Sequence, residues 1–258
     1  MKRLSRRKAL LGLGLGAAGA AAGAGAIEPI GATAAEPPAA ANPPGACVLF
    51  PQAMEGPFYF DPALVRSDIS EGRAGAPLNI NLRVIESGSC TPITNARVDI
   101  WHADAEGMYS GYDRQGAANV STKGQTFLRG TQTTDTDGRV SFRSIYPGWY
   151  PGRTPHIHVK VFLDANSLVT GQIYFPDDMT ARIYKERAPY KDRGTPDTTN
   201  ASDFIFASGE SEGGGTVLSV VAHGETLVAA LLIAVDKSGG AARKASGIGG
   251  WLRSLIGR

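Results

Sequence analysis

Polar and apolar residues alternate along most of this chain with the two-residue period of a half-buried strand rather than the period of a helix. The stretch 78–85 reads Leu-Asn-Ile-Asn-Leu-Arg-Val-Ile. The stretch 97–103 puts Val98, Ile100 and His102 on one face and Asp99 and Trp101 on the other, and 139–145 sets Val140 and Phe142 against Ser141 and Arg143. Residues 156–163 read as a further strand, and 204–207, 217–222 and 226–235 as three more. Thr136-Asp137-Gly138 predicts a tight hairpin, because Asp-Gly tolerates positive φ. The long, polar, proline-containing stretch 175–202 predicts a surface excursion with one short helix over 179–186. Many short strands and few helices predict a mostly β chain, a sandwich or barrel, with one domain over 47–236.

The two ends differ from this middle. Lys2, Arg3, Arg6, Arg7 and Lys8 precede a weakly apolar Gly/Ala run, and Ser5-Arg6-Arg7-Lys8-Ala9-Leu10-Leu11 resembles a twin-arginine export signal. Ala32-Thr33-Ala34 supplies a cleavage site. The expectation is a signal over 1–34, a flexible Pro/Ala-rich lead-in over 35–46, and a periplasmic or extracellular mature protein without stable membrane insertion. Residues 237–258 form a basic Gly/Ala-rich tail, read as a frayed terminus with a short amphipathic helix as the alternative.

Charge follows the same division. Five of the 26 basic residues but one of the 24 acidic residues lie in 1–34, so the remainder is slightly acidic. Nothing marks a nucleic-acid surface. Cys47 and Cys90 are the chain's two cysteines. In an oxidising compartment an even count predicts one bridge, stabilising by roughly 4 kcal/mol on chain-entropy grounds.

Two of the four histidines, His156 and His158, lie two apart on a predicted strand and aim at one side. Alone, such a pair reads equally as two packed histidines. The surrounding segments change this. Ala96-Arg97-Val98-Asp99-Ile100-Trp101-His102-Ala103 with Gly107-Met108-Tyr109-Ser110, Thr134 through Ile145, Pro147-Gly148-Trp149-Tyr150-Pro151, Arg153-Thr154-Pro155-His156-Ile157-His158 and Gly171-Gln172-Ile173-Tyr174-Phe175 occur in order, with a weaker echo at Glu55-Gly56-Pro57-Phe58-Tyr59. Together they resemble the intradiol ring-cleavage dioxygenases, the family of catechol 1,2-dioxygenase and protocatechuate 3,4-dioxygenase.

The resemblance implies an antiparallel β-sandwich of the intradiol dioxygenase type with few short helices. It also implies a non-haem Fe(III) ion held by Tyr109, Tyr150, His156 and His158. A phenol with a pKa near 10 is normally neutral, but a trivalent cation inverts that, and anionic oxygen with imidazole suits oxidised iron. The partners implied are a small aromatic diol and O₂. Tyr150 would take a proton from the diol, Arg153 would stabilise negative charge developing on the ring, and Gln172 would assist by hydrogen bonding. His102 is expected to pack or support the site without being a ligand, and His223 to be structural. Trp149, Tyr146 and Tyr59 are pocket or core aromatics.

The chain departs from the family in three places. Tyr150 and His156 are only six apart, where well-known relatives carry a longer loop. Thr154-Pro155 replaces the usual Pro-Ala, and 35–80 has no counterpart of the helical dimerisation domain. A competing reading is an exported, non-catalytic β-sandwich binding module on the same scaffold, and a third is a zinc hydrolase of the same fold. Four ligand positions with Arg153 and Gln172 favour the dioxygenase over both.

Overall fold

The computed structural model describes residues 47–61, 63–116 and 118–239. The signal over 1–34, the lead-in over 35–46 and all but the first residues of the 237–258 tail lie outside them. Two four-stranded sheets pack face to face. The strands are β1 (Pro77–Glu86), β2 (Arg97–Trp101), β3 (Arg129–Thr133), β4 (Arg139–Ile145), β5 (His156–Leu163), β6 (Asn166–Tyr174), β7 (Ser219–His223) and β8 (Thr226–Val235). The first sheet runs β4-β1-β8-β7 and the second β3-β2-β5-β6. Pairing is antiparallel throughout except between β1 and β8, which are parallel.

The core lies between the sheets and follows from the alternation. Leu78, Ile80, Leu82 and Val84 of β1 and Leu227, Ala229, Leu231 and Ile233 of β8 face Val98, Ile100, Ile157, Val159, Val161 and Ile173 of the second sheet. Asn79, Asn81 and Arg83 point outward between them. Residues 64–69 seal one side of the sandwich. Arg66 N donates to Thr131 O of β3 at 3.0 Å and Ile69 N to Arg143 O of β4 at 2.9 Å, so two exposed edges are covered by one segment.

Two local expectations are corrected, and one strand is added. The turn at Thr136-Asp137-Gly138 does not close a hairpin, because β3 and β4 belong to different sheets. The Asp135 carboxylate accepts the Asp137 and Arg139 amides at 2.9 and 2.8 Å, and the Gly138 carbonyl takes Val84 N of β1 at 2.7 Å. The turn is therefore a corner between layers. The stretch 204–207 is not a strand but the start of helix α2 (Phe204–Ser211). The Asp203 side chain caps it by accepting the amides of Ile205 and Phe206 at 2.9 and 3.2 Å. A short apolar run is ambiguous by periodicity alone. Strand β3, Arg-Gly-Thr-Gln-Thr, carries no apolar alternation and was not foreseen. Helix α1 (Asp177–Glu186) falls where one short helix is expected. Among the described residues no helix is long and apolar enough to cross a membrane.

Cys47 and Cys90 are bonded, with a separation of 43 residues. The bridge ties the start of the described chain to the β1–β2 connection. From there Phe50 N bonds Ala234 O of β8 and Ala53 N bonds Thr170 O of β6, both at 2.8 Å. The segment thus crosses from one sheet to the other before passing over the outer face of the second. Replacing both cysteines by alanine is expected to lower the unfolding free energy by about 4 kcal/mol. Urea titration of the variant against the oxidised parent measures this, and coincident midpoints would show that the closed loop contributes nothing.

Candidate metal centre

The outer face of the second sheet is polar and carries the site. Residues directly opposite one another across the ladders share a face. Register places Arg129, Trp101, His158 and Gln172 in one row, and Thr131, Asp99, Lys160 and Thr170 in the next. His156 stands opposite Tyr174 on the other side of the first row. The two-residue spacing thus brings His156 and His158 to one side of the sheet, as the sequence predicts.

Two loops bring tyrosines to them. After β2, the Asp104 carboxylate accepts the amides of Glu106 and Met108 at 3.0 and 2.9 Å. Gln115 then takes Tyr109 N at 2.7 Å, and Thr122 Oγ1 donates to Tyr109 O at 2.6 Å. Tyr109 is consequently held by its backbone on both sides. The second loop is bound to the first. Gly148 N donates to Asp104 O at 2.9 Å, and Arg193 bridges Ala105 O and Trp149 O, each at 2.9 Å. Tyr150 follows.

Four side-chain atoms converge. Tyr109 Oη lies 3.3 Å from His156 Nε2 and 3.1 Å from His158 Nε2. Tyr150 Oη lies 3.2 Å from His156 Nε2, and the two Nε2 atoms are 3.2 Å apart. A first-row metal ion with donors about 2.0–2.1 Å away sets neighbouring donors about 3 Å apart, so the cluster has the spacing of a ligand set. The hydrogen-bond pattern agrees. His156 Nδ1 lies 2.7 Å from the Thr154 carbonyl, which can only accept, so Nδ1 carries the proton and Nε2 turns a lone pair inward.

Burial sets the charge states of the protein alone. Burial and then the Arg153 charge push His156 down to about 3, and burial with the His156 charge holds His158 well below its ordinary value. Both imidazoles are neutral, as ligands must be. Burial and the neighbouring Tyr150 raise Tyr109 well above 10, and burial raises Tyr150. Only a strongly charged cation between them makes two phenolates favourable here. Among the described residues no three His, Cys, Asp or Glu side chains gather to hold a metal.

A donor wall stands beside the cluster. Arg153 is 8% exposed. Its Nη1 lies 3.4 Å from Tyr150 Oη, its Nη2 donates to Gln172 Oε1 and lies 3.5 Å from Tyr174 Oη, and its Nε donates to Asp203 Oδ2 at 2.8 Å. Tyr174 Oη donates to Gln172 Oε1 at 3.0 Å. Burial works to raise the Asp203 carboxyl, but the Arg153 hydrogen bond and charge hold it below the usual carboxylate range. A strap closes the other side. Phe58 stacks on Tyr109 with centroids 4.4 Å apart, and Tyr59 packs on Trp101, which stacks on His158 at 4.8 Å. Gly56, at φ 74°, lies beside the ring, where a Cβ would make ordinary contact with His158 Cε1 at 3.5 Å.

Sequence reasoning missed Tyr174, Asp203 and the stacking role of Phe58. Tyr174 is two residues beyond Gln172 on the same strand, so the period-two rule reaches it. Asp203 precedes a short apolar run, the position of a helix cap. His102 is not in the cluster. It is buried, with Nδ1 2.8 Å from Ala103 O and Nε2 2.7 Å from Ser144 Oγ, and burial pushes it down to about 4. His223 is exposed at the end of β7. Tyr146 is a core residue bonded to Thr180 at 2.7 Å, and Trp149 is half-buried beneath Arg193.

Comparison with known proteins agrees with this arrangement. A family model described as Dioxygenase matches residues 54–185, just over half of the chain. The solved intradiol ring-cleavage dioxygenase from Tetranychus urticae superposes with a TM-score of 0.67 at 32% identity, over 74% of this chain and 95% of that one. The protocatechuate 3,4-dioxygenase beta chain of Burkholderia cepacia is 35% identical over 134 residues, 48% of this chain and 54% of that protein. Catechol 1,2-dioxygenase 1 of Acinetobacter lwoffii is 28% identical over 151 residues, 50% and 47% of the two. The chain spans about half the length of the curated relatives it matches. With its sandwich fold and ordered motifs, the chain belongs to the intradiol ring-cleavage dioxygenase family.

Proposed function

We propose that this protein is a non-haem Fe(III) intradiol dioxygenase. It opens a catechol-type ring between the two hydroxylated carbons with O₂, giving a cis,cis-muconate-type dicarboxylic acid. The observation that carries this reading is the convergence of Tyr109, Tyr150, His156 and His158 within 3.1–3.3 Å beside Arg153 and Gln172. The diol plus one O₂ has the composition of the diacid, so the reaction needs no external reductant and expels no group. A non-catalytic binder has no use for two phenols, one buried and one half-buried, converging on two neutral imidazoles.

Tyr109, Tyr150, His156 and His158 would hold the iron, which when bound supplies the Lewis acidity that makes the diol's hydroxyls and the tyrosines acidic and primes the ring for O₂. The protein's own groups do the rest. Tyr150 Oη, half-buried and next to Arg153 Nη1, is placed to accept a proton from an incoming hydroxyl. Arg153, fixed by Asp203, keeps its Nη1 and Nη2 edge toward the pocket, where it stabilises negative charge on the ring as it forms. Gln172 and Tyr174 fix that edge in turn. Phe58, Tyr59 and Trp101 exclude water from the side of Tyr109 and His158, which strengthens each of these interactions. The Cys47–Cys90 bridge supports work in an oxidising compartment outside the cytoplasm.

Loading the purified protein with iron in air is expected to give a visible tyrosinate-to-iron absorption band that shifts when catechol is added without oxygen. A colourless protein that takes up no iron would overturn the proposal. Tyr109→Phe and His156→Ala should each bind far less iron by metal analysis. Arg153→Ala should keep the metal and the colour but lose about 10²–10³ in kcat, read from oxygen uptake. Asp203→Ala strips the buried guanidinium of its carboxylate and α2 of its cap. It should destabilise the fold by about 3–5 kcal/mol, measured by denaturant unfolding.

A further inference from the structure

Three buried side-chain atoms without a hydrogen-bond partner among the described residues belong to one cross-strand row. They are Arg129 Nη1, Trp101 Nε1 and His158 Nδ1. Arg129 and Trp101 are 2% and 1% exposed. The guanidinium is gripped along its other edge, where Nε donates to Ser110 Oγ at 2.8 Å and Nη2 to Ser110 O at 2.9 Å. Phe60 lies across it, with the ring centroid 4.3 Å from Cζ. All of these partners are uncharged. Burial pushes the group down to about 10, still far above neutrality, so it remains a cation.

A buried cation without an anion is costly, and among the described residues no carboxylate is paired with this one. Asp99 lines a small cavity with Arg129, but its carboxylate is taken. Its Oδ1 accepts from Arg97 Nε at 2.8 Å and Thr131 Oγ1 at 2.7 Å, and its Oδ2 from Arg97 Nη2 at 2.7 Å and Tyr59 Oη at 3.0 Å. Arg129 and Trp101 line one small cavity with Tyr59, Phe60, Asp99 and Thr131, of ≈ 10 Å³. That is room for about one heavy atom. Two N–H groups without a hydrogen-bond partner, one of them cationic, thus belong to residues lining a space too small for a polyatomic ion.

We propose that this cavity binds a single small inorganic anion of the halide class, held between the Arg129 guanidinium and the Trp101 indole N–H. The ion completes the hydrogen bonding of both and neutralises the buried charge. It also braces the neighbouring centre from behind, because Trp101 stacks on His158 and Ser110 follows Tyr109 in the chain. The inference does not rest on the dioxygenase reading, since the ion binds the metal-free protein as well.

The test uses bromide on the full chain. Crystals soaked in sodium bromide are expected to show an anomalous peak in this cavity. In solution, metal-free protein should gain about 2–4 °C in Tm with bromide over gluconate at equal ionic strength. Arg129→Met should lose both effects. Trp101→Phe, which keeps the ring and removes the N–H, should weaken bromide about fivefold and serves if the arginine variant does not fold. A cavity without an anomalous peak at saturating bromide overturns the proposal. So does a peak with no stabilisation in solution, which would mark an adventitious ion only.

Discussion

The site depends on the register between β2, β5 and β6. Pairing Trp101 with His158 and His158 with Gln172 sends three chemically distinct side chains to the same side of one sheet. The same pairing sends Ile100, Ile157, Val159 and Ile173 to the other. A slip of one residue exchanges the two sets, burying imidazole among aliphatic side chains and exposing the core. The hydrophobic effect that drives the inner face together therefore also fixes the positions of the two imidazoles. No separate device is needed to align His156 with His158, because burial of Ile157 between them does it.

An outer face normally meets water, and here it does not. The strap from 52 to 60 and the two tyrosine loops cover it until His156 and His158 are each only 3% exposed. That burial is what makes the imidazoles neutral and the phenols hard to ionise. The same sealing leaves buried guanidinium groups that must find partners. Arg153 finds Asp203, and the ion pair links the site to the cap of α2. The disulfide belongs to this scheme, because it anchors the strap at one sheet before the strap reaches the other.

Much of this was legible in the sequence because alternation is a local signal. The strands β1, β2, β4, β5 and β8 and the helix α1 were read from patterns within a few residues, and the cysteine bridge from an even count. The ordered motifs also named the four converging side chains, two of which stand on loops that periodicity cannot place. What was not legible came from tertiary context. Strand β3 has no apolar pattern of its own, since Gly130 faces the core where Ile69 packs against it, and its arginine and threonines face the site. The supposed hairpin at Gly138 failed because a tight turn reports a reversal of the chain without saying which sheet receives the next strand. Helix α2 was hidden because a short apolar run fits strand and helix alike, and the pairing of its capping aspartate with Arg153, 50 residues away, is a tertiary contact.

The two tyrosines are not equivalent, and the difference bears on how the work is divided. Tyr109 is 1% exposed, stacked on Phe58, and clamped at its backbone by Gln115 and Thr122. Any movement of its oxygen breaks several of these contacts together. Tyr150 is half-buried and starts a short turn closed by Arg153 N to its carbonyl at 3.0 Å. Its hydroxyl touches the one permanently charged group of the donor wall. A phenol that must release and recover a proton needs access and a nearby positive charge to steady the phenolate, and one that must hold a fixed geometry needs neither. Packing alone thus makes Tyr109 the more rigidly held of the two and leaves Tyr150 the more accessible. The short connection from Tyr150 to His156 keeps the Tyr150 hydroxyl beside Arg153.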